Sequence, residues 1–487
     1  MADINLGVGA ANSASDAYEI TNSLKLEADN NEWLYNASPT AGNRQTYTFS
    51  FWIKRSGLGT VNASGTAYVI GAGQHGRMYF GSDFFQYRFD DGHDCRNMSR
   101  KFRDPSAWYH FVVAVDTTIA SPSSDRVKLY VNGESLEVDD HDGGSFPDQN
   151  DQGAFFSTNY LTIGTAAFGG SYNAGDGDYD MRGYLAEFCG VDGQQLAPTD
   201  FGKYDSNGIW IPKDVSNINF GSEGFYLKFD DTSSSGKDSS GNGNNFSDSN
   251  LSAADHATDT PTNNFCTLNL PVSTYINTMG AIEGGTYMKR DGQNNFAGFF
   301  GTLGFTKGKW YFESYIPSRS ASYGLMEEMG IHTLGSITLG SPYYVTQMET
   351  NYYLNFHYGY TYHWNNGTRV SRAWADTGIP DLGPSAVGSW IGFAINADDG
   401  EATWYKDGSQ MGTADLDMFD IHDKMQDGVF AVPFFQVYDN NLKVNFGGYS
   451  SQAISSGNAD ANGYGNFEYA VPSGYYAICT KNLAEYG

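Results

Sequence analysis

The sequence predicts an all-β protein with two β-sandwich domains in tandem and a short N-terminal arm. Aromatic residues make up 15% of the chain, and glycine accounts for 59 of its 487 residues, which is above the usual share of about 7%. Strands favour aromatic side chains, and tight turns favour glycine. Apolar residues also alternate with a period of two, and no long stretch repeats them every 3.6 residues, so we expect many short strands joined by turns.

The alternation is clearest near the start of the first domain. In 47–54, the side chains of Tyr47, Phe49, Phe51 and Ile53 share one face, as in a strand with one buried side. The segment 108–115 is apolar on both faces, which predicts an inner strand. The only helix that the pattern favours is a short one near 196–204.

Two hairpins are predicted from their turn residues. Asn132 and Gly133 separate two alternating runs, and Asp407 and Gly408 do the same in the second half of the chain. Asn-Gly and Asp-Gly pairs between such runs are strong hairpin signals because both central residues adopt positive φ.

A change of composition predicts the domain boundary. Residues 231–265 are dominated by Asp, Ser, Asn, Thr and Gly, a composition that buries little apolar surface and is typical of a linker. We therefore predict an arm over 1–20, a first domain over 21–232, a polar linker over 233–266 and a second domain over 267–487.

Net charge and cysteine spacing exclude several classes of protein. The formal charge of -28 opposes binding to nucleic acid and to anionic membranes. No stretch is long enough to span a bilayer, and the first residues lack the basic and apolar regions of a signal peptide, so we expect synthesis in a cytoplasm. The four cysteines are too far apart to indicate a disulfide scaffold or a zinc site.

Acidic residues predict one metal candidate. Asp176, Asp178 and Asp180 alternate in one loop, and a second cluster lies in 139–142. Ca²⁺ takes six to eight oxygen ligands, many of them carboxylates, so it is the cofactor that these loops would hold. The alternative is that they are ordinary Asp-rich turns of an acidic protein.

A dense aromatic run predicts a candidate glycan site. On a strand, Tyr358, Tyr360, Tyr362 and Trp364 share one face, and an exposed aromatic face of this kind suits a sugar ring. The alternative is that the same face packs into a core. No motif for a nucleophilic serine, a phosphate-binding loop or a zinc hydrolase occurs in the chain, so the sequence predicts no enzyme.

Several segments resemble known families. Residues 23–230 resemble a laminin-G or concanavalin A-like jelly roll, and 300–450 resemble a SPRY (B30.2-like) domain, which is also a concanavalin A-like sandwich. The first resemblance is carried by SLKLEADNNEWL (23–34), YTFSFWIKRS (47–56), AWYHFVVAVD (107–116), DRVKLYVNGESLEV (125–138), YLTIGTAA (160–167) and GYLAEFCGVDGQQL (183–196). The second is carried by GKWYFESYI (308–316), SWIGFAINADDGEATWYKDGSQMG (389–412) and VPFFQVYDNNLKVNFGG (432–448).

Three further segments resemble connectors in virion proteins of tailed bacteriophages: GKDSSGNGNNF (236–246), TDTPTNNFCTLN (258–269) and PSGYYAICTKNL (472–483). This resemblance implies a place on the virion surface, in a tail fibre, spike or capsid projection. It also implies contact with other virion proteins, through residues 1–20, and with a host glycan or receptor. Phage fibres are commonly trimeric, so a homotrimer is favoured.

Three functions remain open at this point. The first is a lectin-like virion protein that binds a host glycan or receptor. The second is a structural decoration protein of the capsid or tail with no ligand. The third is a polysaccharide-degrading enzyme or its binding module. Concanavalin A-like glycosidases resemble this chain in fold, but they carry a Glu-x-Asp-x-Glu strand, and the nearest segment here, EVDDHD (137–142), lacks the second Glu.

Overall fold

The structure is a computed structural model of the 487-residue chain. It describes residues 18–57, 66–73, 75–138, 145–168, 171–172, 180–269, 280–289, 296–318, 327–333, 353–357, 360–365, 368–373, 387–415, 421–438 and 441–487. Within these residues, 18–262 belong to one compact unit and Asn263–Gly487 to a second. No helix in the described part of the chain is both long and apolar enough to cross a bilayer.

The first unit is a sandwich of two antiparallel sheets. Its strands are β1 (Ser23–Leu26), β2 (Trp33–Asn36), β3 (Thr46–Arg55), β4 (Thr66–Ala72), β5 (Gly76–Gly81), β6 (Phe84–Arg88), β7 (Asp94–Lys101), β8 (Trp108–Asp116), β9 (Val127–Val131), β10 (Glu134–Leu136), β11 (Leu161–Ile163), β12 (Ala167–Phe168), β13 (Ser171–Tyr172), β14 (Gly183–Asp192), β15 (Gly202–Tyr204), β16 (Trp210–Pro212), β17 (Phe225–Leu227), β18 (Ser247–Ser249) and β19 (His256–Ala257). Short 3₁₀ turns lie at Ala28–Asn30, Ser123–Asp125, Pro198–Asp200 and Ala253–Asp255.

One sheet has the order β10-β9-β8-β3-β14-β1-β19, with β17 also paired to β14, and the other has the order β18-β2-β11-β4-β5-β6-β7. Their facing side chains form the core. Phe51 of β3 stacks on Phe188 of β14 at a centroid distance of 5.0 Å, and Phe85 of β6 meets Phe111 of β8 at 4.3 Å. The inward face predicted for 47–54 is confirmed, because Tyr47, Phe49, Phe51 and Ile53 are all core residues.

The inner strand predicted over 108–115 is also confirmed, since β8 lies between β3 and β9 and is buried along that length. Its second face is covered by the segment that follows β14. Val112 and Cys189 pack there against Phe201 and Tyr226 in a separate apolar cluster. The prediction of a helix near 196–204 is wrong. This segment forms one 3₁₀ turn and then strand β15, because its apolar side chains pack on the outer face of the sheet.

The second unit is another pair of antiparallel sheets. Its strands are β20 (Leu268–Asn269), β21 (Gly280–Ile282), β22 (Tyr287–Lys289), β23 (Phe296–Gly301), β24 (Lys309–Ser318), β25 (Glu327–Thr333), β26 (Tyr353–His357), β27 (Tyr360–Asn365), β28 (Thr368–Ala373), β29 (Trp390–Asn396), β30 (Glu401–Lys406), β31 (Ser409–Asp415), β32 (Ala431–Tyr438), β33 (Asn441–Asn445) and β34 (Tyr476–Ala477). Two short helices, α1 (Ile421–Gln426) and α2 (Thr480–Tyr486), complete the described elements.

These strands form the orders β20-β23-β32-β25-β26-β27-β28 and β21-β22-β33-β24-β29-β30-β31, with β34 parallel to β24. The core between them is again aromatic. Phe393 of β29 lies 5.0 Å from Phe312 of β24 and 4.8 Å from Trp404 of β30, measured between ring centroids. The predicted fold class, all-β with two concanavalin A-like sandwiches, is confirmed.

Both predicted hairpins are present, as the β9–β10 and β30–β31 pairs. Asn132 and Gly133 have φ angles of 48° and 81°, and Asp407 and Gly408 have 48° and 76°. Positive φ at both central residues is the requirement of a type I′ turn, so the residues that predicted these hairpins are the ones that their geometry needs.

The polar linker predicted over 233–266 is wrong. Residues up to Thr262 fold with the first unit, where β18 pairs with β2 and β19 pairs with β1. Asp259 is only 1% exposed, and its Oδ2 lies 2.6 Å from Nζ of the equally buried Lys54. The polar composition of this segment led to the wrong prediction, because polar side chains can be buried wherever they are paired and hydrogen-bonded.

The N-terminal arm predicted over 1–20 lies outside the described residues as far as residue 17. Its last residues belong to the first sandwich. Ile20 is buried, and its backbone N–H donates to Thr262 Oγ1 at 3.1 Å. The hydroxyl of Tyr18 reaches the carboxylate of Glu187 at 3.3 Å. Tyr18 and Ile20 are therefore part of the first sandwich, and an arm over the residues before them stays a prediction.

Candidate functional site

A pocket opens between the two sheets of the first unit, with a volume of about 140 Å³. We call it the rim pocket. Its floor consists of apolar side chains from both sheets and the loops beside them, namely Phe49, Ala72, Ala154, Phe156, Phe225 and Phe246. Its mouth carries polar side chains, chiefly Asn36, Ser38, Thr40, Asn159, Glu223, Asn244 and Asn245.

The floor is rigid because its rings pack on one another. Phe156 stacks on Phe49 with ring centroids 5.5 Å apart, and Phe225 meets Phe246 edge to face at 4.8 Å. Phe156 also has a φ of +54°, a conformation that a bulky side chain rarely adopts. Such local strain persists only where the surroundings impose it, and here the stacking holds this ring at the base of the pocket.

One wall of the pocket is a loop folded around a single carboxylate. Asp238 Oδ1 accepts hydrogen bonds from the backbone N–H groups of Tyr226 at 2.9 Å and Ser240 at 2.8 Å. Its Oδ2 accepts from the N–H of Asn244 at 2.9 Å. Gly241 and Gly243 have φ angles of +92° and +80°, which glycine adopts without strain. The sequence DSSGNGNN therefore encodes a defined loop.

The same loop is tied to strand β17. The side-chain amide of Asn244 donates to the carbonyl oxygens of Gly224 at 2.9 Å and Ser222 at 3.1 Å. Glu223, between these two residues, also lines the pocket. The side chain of Asn244 is therefore fixed before any ligand arrives.

Two side chains at the mouth of the pocket are available to form hydrogen bonds with a ligand. Within the described residues, the carboxylate of Glu223 and the side-chain amide of Asn159 make no hydrogen bond to protein. In the part of the chain that the structure describes, Glu223 is also the only ionisable residue that lines the pocket, since no Lys, Arg, His or Asp is among those lining residues. A pocket with an apolar floor and a few convergent polar groups has the composition of a small-ligand site.

This composition suits one sugar ring. A pyranose has apolar C–H faces, which pack on aromatic rings, and hydroxyl groups, which need amide or carboxylate partners. The rim pocket supplies both kinds of surface. Hydrolysis of a glycosidic bond usually requires two carboxyl groups facing each other across the bond, and the described residues that line the pocket include one carboxyl group.

The structure describes only one residue of the predicted calcium loop, Asp180. Asp180 is buried and accepts a hydrogen bond from the hydroxyl of Thr165. Asp176 and Asp178 lie outside the described residues, as does the acidic cluster in 139–142. Calcium binding at this loop therefore stays a prediction.

A different group of possible metal ligands lies in the described part of the chain. Ligand atoms of Asp90, His93 and Asp151 lie within 4.8 Å of one another. Sequence spacing could not reveal this group, because Asp151 is far from Asp90 and His93 along the chain. Only the fold brings the three residues together. Local hydrogen bonds account for the group: Asp90 Oδ1 bonds His93 Nδ1 at 2.8 Å, and Asp151 Oδ2 accepts from the N–H of Asp148 at 2.8 Å.

The aromatic platform predicted in the second unit is only partly covered. Tyr358 lies outside the described residues. Tyr360, Tyr362 and Trp364 lie on β27, which pairs with β26 and β28. Only their backbone is described, so the choice between a glycan platform and a core face stays open. The rim pocket is a separate candidate that we did not predict, because its floor and mouth come from segments far apart in the sequence.

A serine and a histidine form a hydrogen bond that invites comparison with a catalytic pair. His110 Nε2 lies 2.8 Å from Ser50 Oγ, and Trp210 Nε1 lies 3.0 Å from His110 Nδ1. Because the indole N–H can only donate, Nδ1 is the acceptor and Nε2 carries the proton. Burial also lowers the pKa of His110 to about 3. This imidazole therefore cannot take a proton from the serine hydroxyl.

Comparisons with known proteins agree with the architecture. Residues 28–188, about a third of the chain, match a laminin G-type model of the Concanavalin A-like lectin/glucanases superfamily. No curated protein sequence matches the chain at a significant level.

Solved structures that match the chain include the SPRY domain of human HERC1, at 11% identity and a TM-score of 0.26, covering 38% of this chain and 99% of that one. Domains LG4-5 of the mouse laminin α1 chain match at 10% identity and a TM-score of 0.27, covering 96% of this chain and 90% of that one. A SAP-like pentraxin from Limulus polyphemus matches at 16% identity and a TM-score of 0.26, covering 37% of this chain and 80% of that one. The sheets of the first unit and the family match together show a lectin-like fold of the concanavalin A and laminin G type.

Proposed function

We propose that this protein binds carbohydrate without cleaving it and serves as a host-attachment protein on the surface of a tailed-bacteriophage virion. The observation that carries the proposal is the rim pocket, which joins a stacked aromatic floor to a mouth with an unpaired carboxylate and an unpaired amide. The lectin-like fold agrees with this function, since it is the fold of the superfamily matched by residues 28–188.

The virion location is supported by the three segments that resemble phage connectors. In the structure, two of them pair with each other in the second unit. The N–H of Cys266 donates to the carbonyl oxygen of Ile478 at 3.0 Å, and the N–H of Asn264 donates to Thr480 Oγ1 at 3.0 Å. The third segment, 236–246, includes the loop that walls the rim pocket. The resemblance therefore concerns folded parts of both domains.

The absence of catalysis is supported by the chemistry of the described groups. The rim pocket offers one carboxyl group where glycoside hydrolysis uses two. In the Ser50–His110 pair, the imidazole carries its proton on Nε2, the nitrogen that faces Ser50. It therefore cannot act as a general base toward the serine hydroxyl. In the proposed function, the pocket therefore holds a glycan and leaves its bonds intact.

Binding to a glycan array and to host cells tests the proposal. The full-length protein, with its oligomeric state measured by light scattering, is compared with Asn159→Ala, which removes an exposed amide from the mouth. Asn207→Ala is the matched control, because it removes an exposed asparagine outside the pocket. We expect saturable binding that Asn159→Ala weakens and Asn207→Ala leaves unchanged. Absence of binding to every glycan and cell, from folded protein, would contradict the proposal and favour a decoration protein without a ligand.

A further inference from the structure

We infer that the rim pocket recognises a single terminal sugar that is neutral or carries an amine, and that it does so without a metal ion. This inference rests on the proposed function. It specifies which part of the glycan is bound, the terminal ring, and that this ring is neutral or carries an amine. Three properties of the pocket carry it: the volume, the charge of the lining and the kinds of ligand atoms at the mouth.

The volume limits the ligand to one ring. The pocket holds about 140 Å³, close to the size of a cavity of ~150 Å³ that is known to bind a single benzene ring. Its inner end is closed by the buried side chains of Phe49, Ala72 and Phe225. A ring that enters such a closed pocket has no route for the chain to continue on the far side, so the ring must be the last of its chain.

The charge of the lining selects against acidic sugars. Among the described residues, Glu223 is the only charged one that lines the pocket, and no cation is among them. A carboxylate or sulfate on the ligand would lose hydration there without gaining a cationic partner, and it would face a like charge. Sugar hydroxyls can donate to the carboxylate of Glu223, and an amino sugar can form an ion pair with it. Hydrogen bonds to a charged acceptor are the stronger kind.

The described residues of the mouth do not provide a calcium site. Ca²⁺ takes six to eight oxygen ligands and favours several carboxylates, whereas one carboxylate is among the described residues that line this pocket. The side-chain oxygen of Asn36 already accepts from the N–H of Ser38 at 3.1 Å. Recognition in the rim pocket therefore depends on direct hydrogen bonds and ring packing.

The test measures which glycans bind, and what competes with them. The full-length protein is applied to an array whose glycans share one core and end in a neutral hexose, an amino sugar, or a sialic or uronic acid, with and without EDTA. Free monosaccharides of each class serve as competitors. Glu223→Gln changes the charge of the mouth while keeping its shape, and the control is Glu134→Gln, which alters a glutamate with 69% of its side chain exposed elsewhere in this unit.

We expect binding to neutral or amino-terminated glycans that survives EDTA and is inhibited by the free monosaccharide. Glu223→Gln should weaken it about tenfold or more, as expected for loss of a hydrogen bond to a charged group, and Glu134→Gln should not. Asn159→Ala, at an exposed position, should also weaken it. Preference for acidic termini, loss of binding in EDTA, or unchanged affinity in Glu223→Gln would overturn the inference while leaving carbohydrate binding itself established. Absence of all glycan binding would overturn both.

Discussion

The ion pair between Lys54 and Asp259 provides the sharpest test of the revised domain boundary. Both side chains are 1% exposed, and their charged atoms are 2.6 Å apart. Asp259 Oδ1 also accepts from Trp108 Nε1 at 3.0 Å. If residues 233–262 are part of the first sandwich, then removing this carboxylate leaves a buried ammonium without its partner.

The expected cost of Asp259→Ala is about 3–5 kcal/mol, the usual penalty for breaking a buried pair by removing one partner. For a domain of this size each kcal/mol lowers the melting temperature by roughly 2–4 °C, so the first unit should melt about 6–20 °C earlier. Replacing both partners, as in Lys54→Met with Asp259→Leu, should restore much of the loss because no charge remains buried. Trp108 still loses its acceptor, so the recovery should be incomplete.

Calorimetry of the full-length protein measures this effect, and hydrogen exchange in β1 and β3 assigns the transition to the first unit. Lys237→Ala is the matched control. It removes the partner of Asp231, 2.9 Å away, in an exposed pair of the same segment, where solvent screens the interaction. Its melting temperature should stay that of the wild type. If Asp259→Ala melts no earlier than this control, the segment is a linker after all and the boundary drawn at Thr262 is wrong.

Three further predictions follow from single side chains. Burial raises the pKa of Glu187 to about 7 from 4.5, so the folded state holds its proton more tightly, and the free energy of unfolding should fall by about 2–3 kcal/mol between pH 4.5 and 7. Urea unfolding of Glu187→Gln should lack this fall, and an identical pH profile would refute the assignment. Asp238→Ala removes the acceptor that folds the pocket loop, so hydrogen exchange there should rise at least tenfold and glycan affinity should drop; protection equal to wild type would contradict this. Glu313 accepts from the N–H groups of Glu468 at 2.9 Å and Tyr469 at 3.0 Å, so Glu313→Ala should destabilise the second unit by more than about 2 kcal/mol in calorimetry, and a smaller loss would show that water replaces the carboxylate.

Local patterns predicted those parts of the fold that local physics determines. The alternation in 47–54 identified a strand and its buried face, and Asn132-Gly133 identified a turn, because each depends on backbone and side-chain geometry within a few residues. The helix near 196–204 failed because its apolar residues Leu196 and Phe201 contact the outer face of a sheet formed by distant strands. No periodicity within the segment itself carries that information.

The candidate site was beyond the reach of local patterns for the same reason. Phe49 belongs to a central strand, Asn159 to a turn, and Glu223 precedes a strand that follows much later in the chain. The predicted sites were runs of similar residues that lie close together along the chain, namely the acidic loop at 176–180 and the aromatic run at 358–364. A pocket between two sheets collects its residues from several segments, so density along the chain is a poor guide to it.

The polar segment 233–262 shows how composition can hide a folded element. A linker was predicted because few apolar residues were available to drive burial. The structure stabilises this segment through side chains that bond to the backbone: Asp238 organises the pocket loop, and Ser252 and Asp255 cap a 3₁₀ turn. In loops, the backbone lacks the hydrogen-bond partners that a neighbouring strand would provide. Side chains of Ser, Asn and Asp can take their place.

This origin of the loop also bears on recognition. Because Asp238 and the glycines hold the backbone, Asn244 is tied to β17 before a ligand binds, and little conformational freedom remains to be lost on binding at that position. A flexible linker with the same asparagines would have to be ordered by each ligand, at a cost to affinity. Gly241 and Asp238 should therefore matter for glycan affinity even though neither is among the residues that line the pocket. A Gly241→Ala variant, strained at a φ of +92°, should weaken binding with every mouth side chain still present. Unchanged affinity in that variant would show that the loop is ordered by the ligand and not by its own hydrogen bonds.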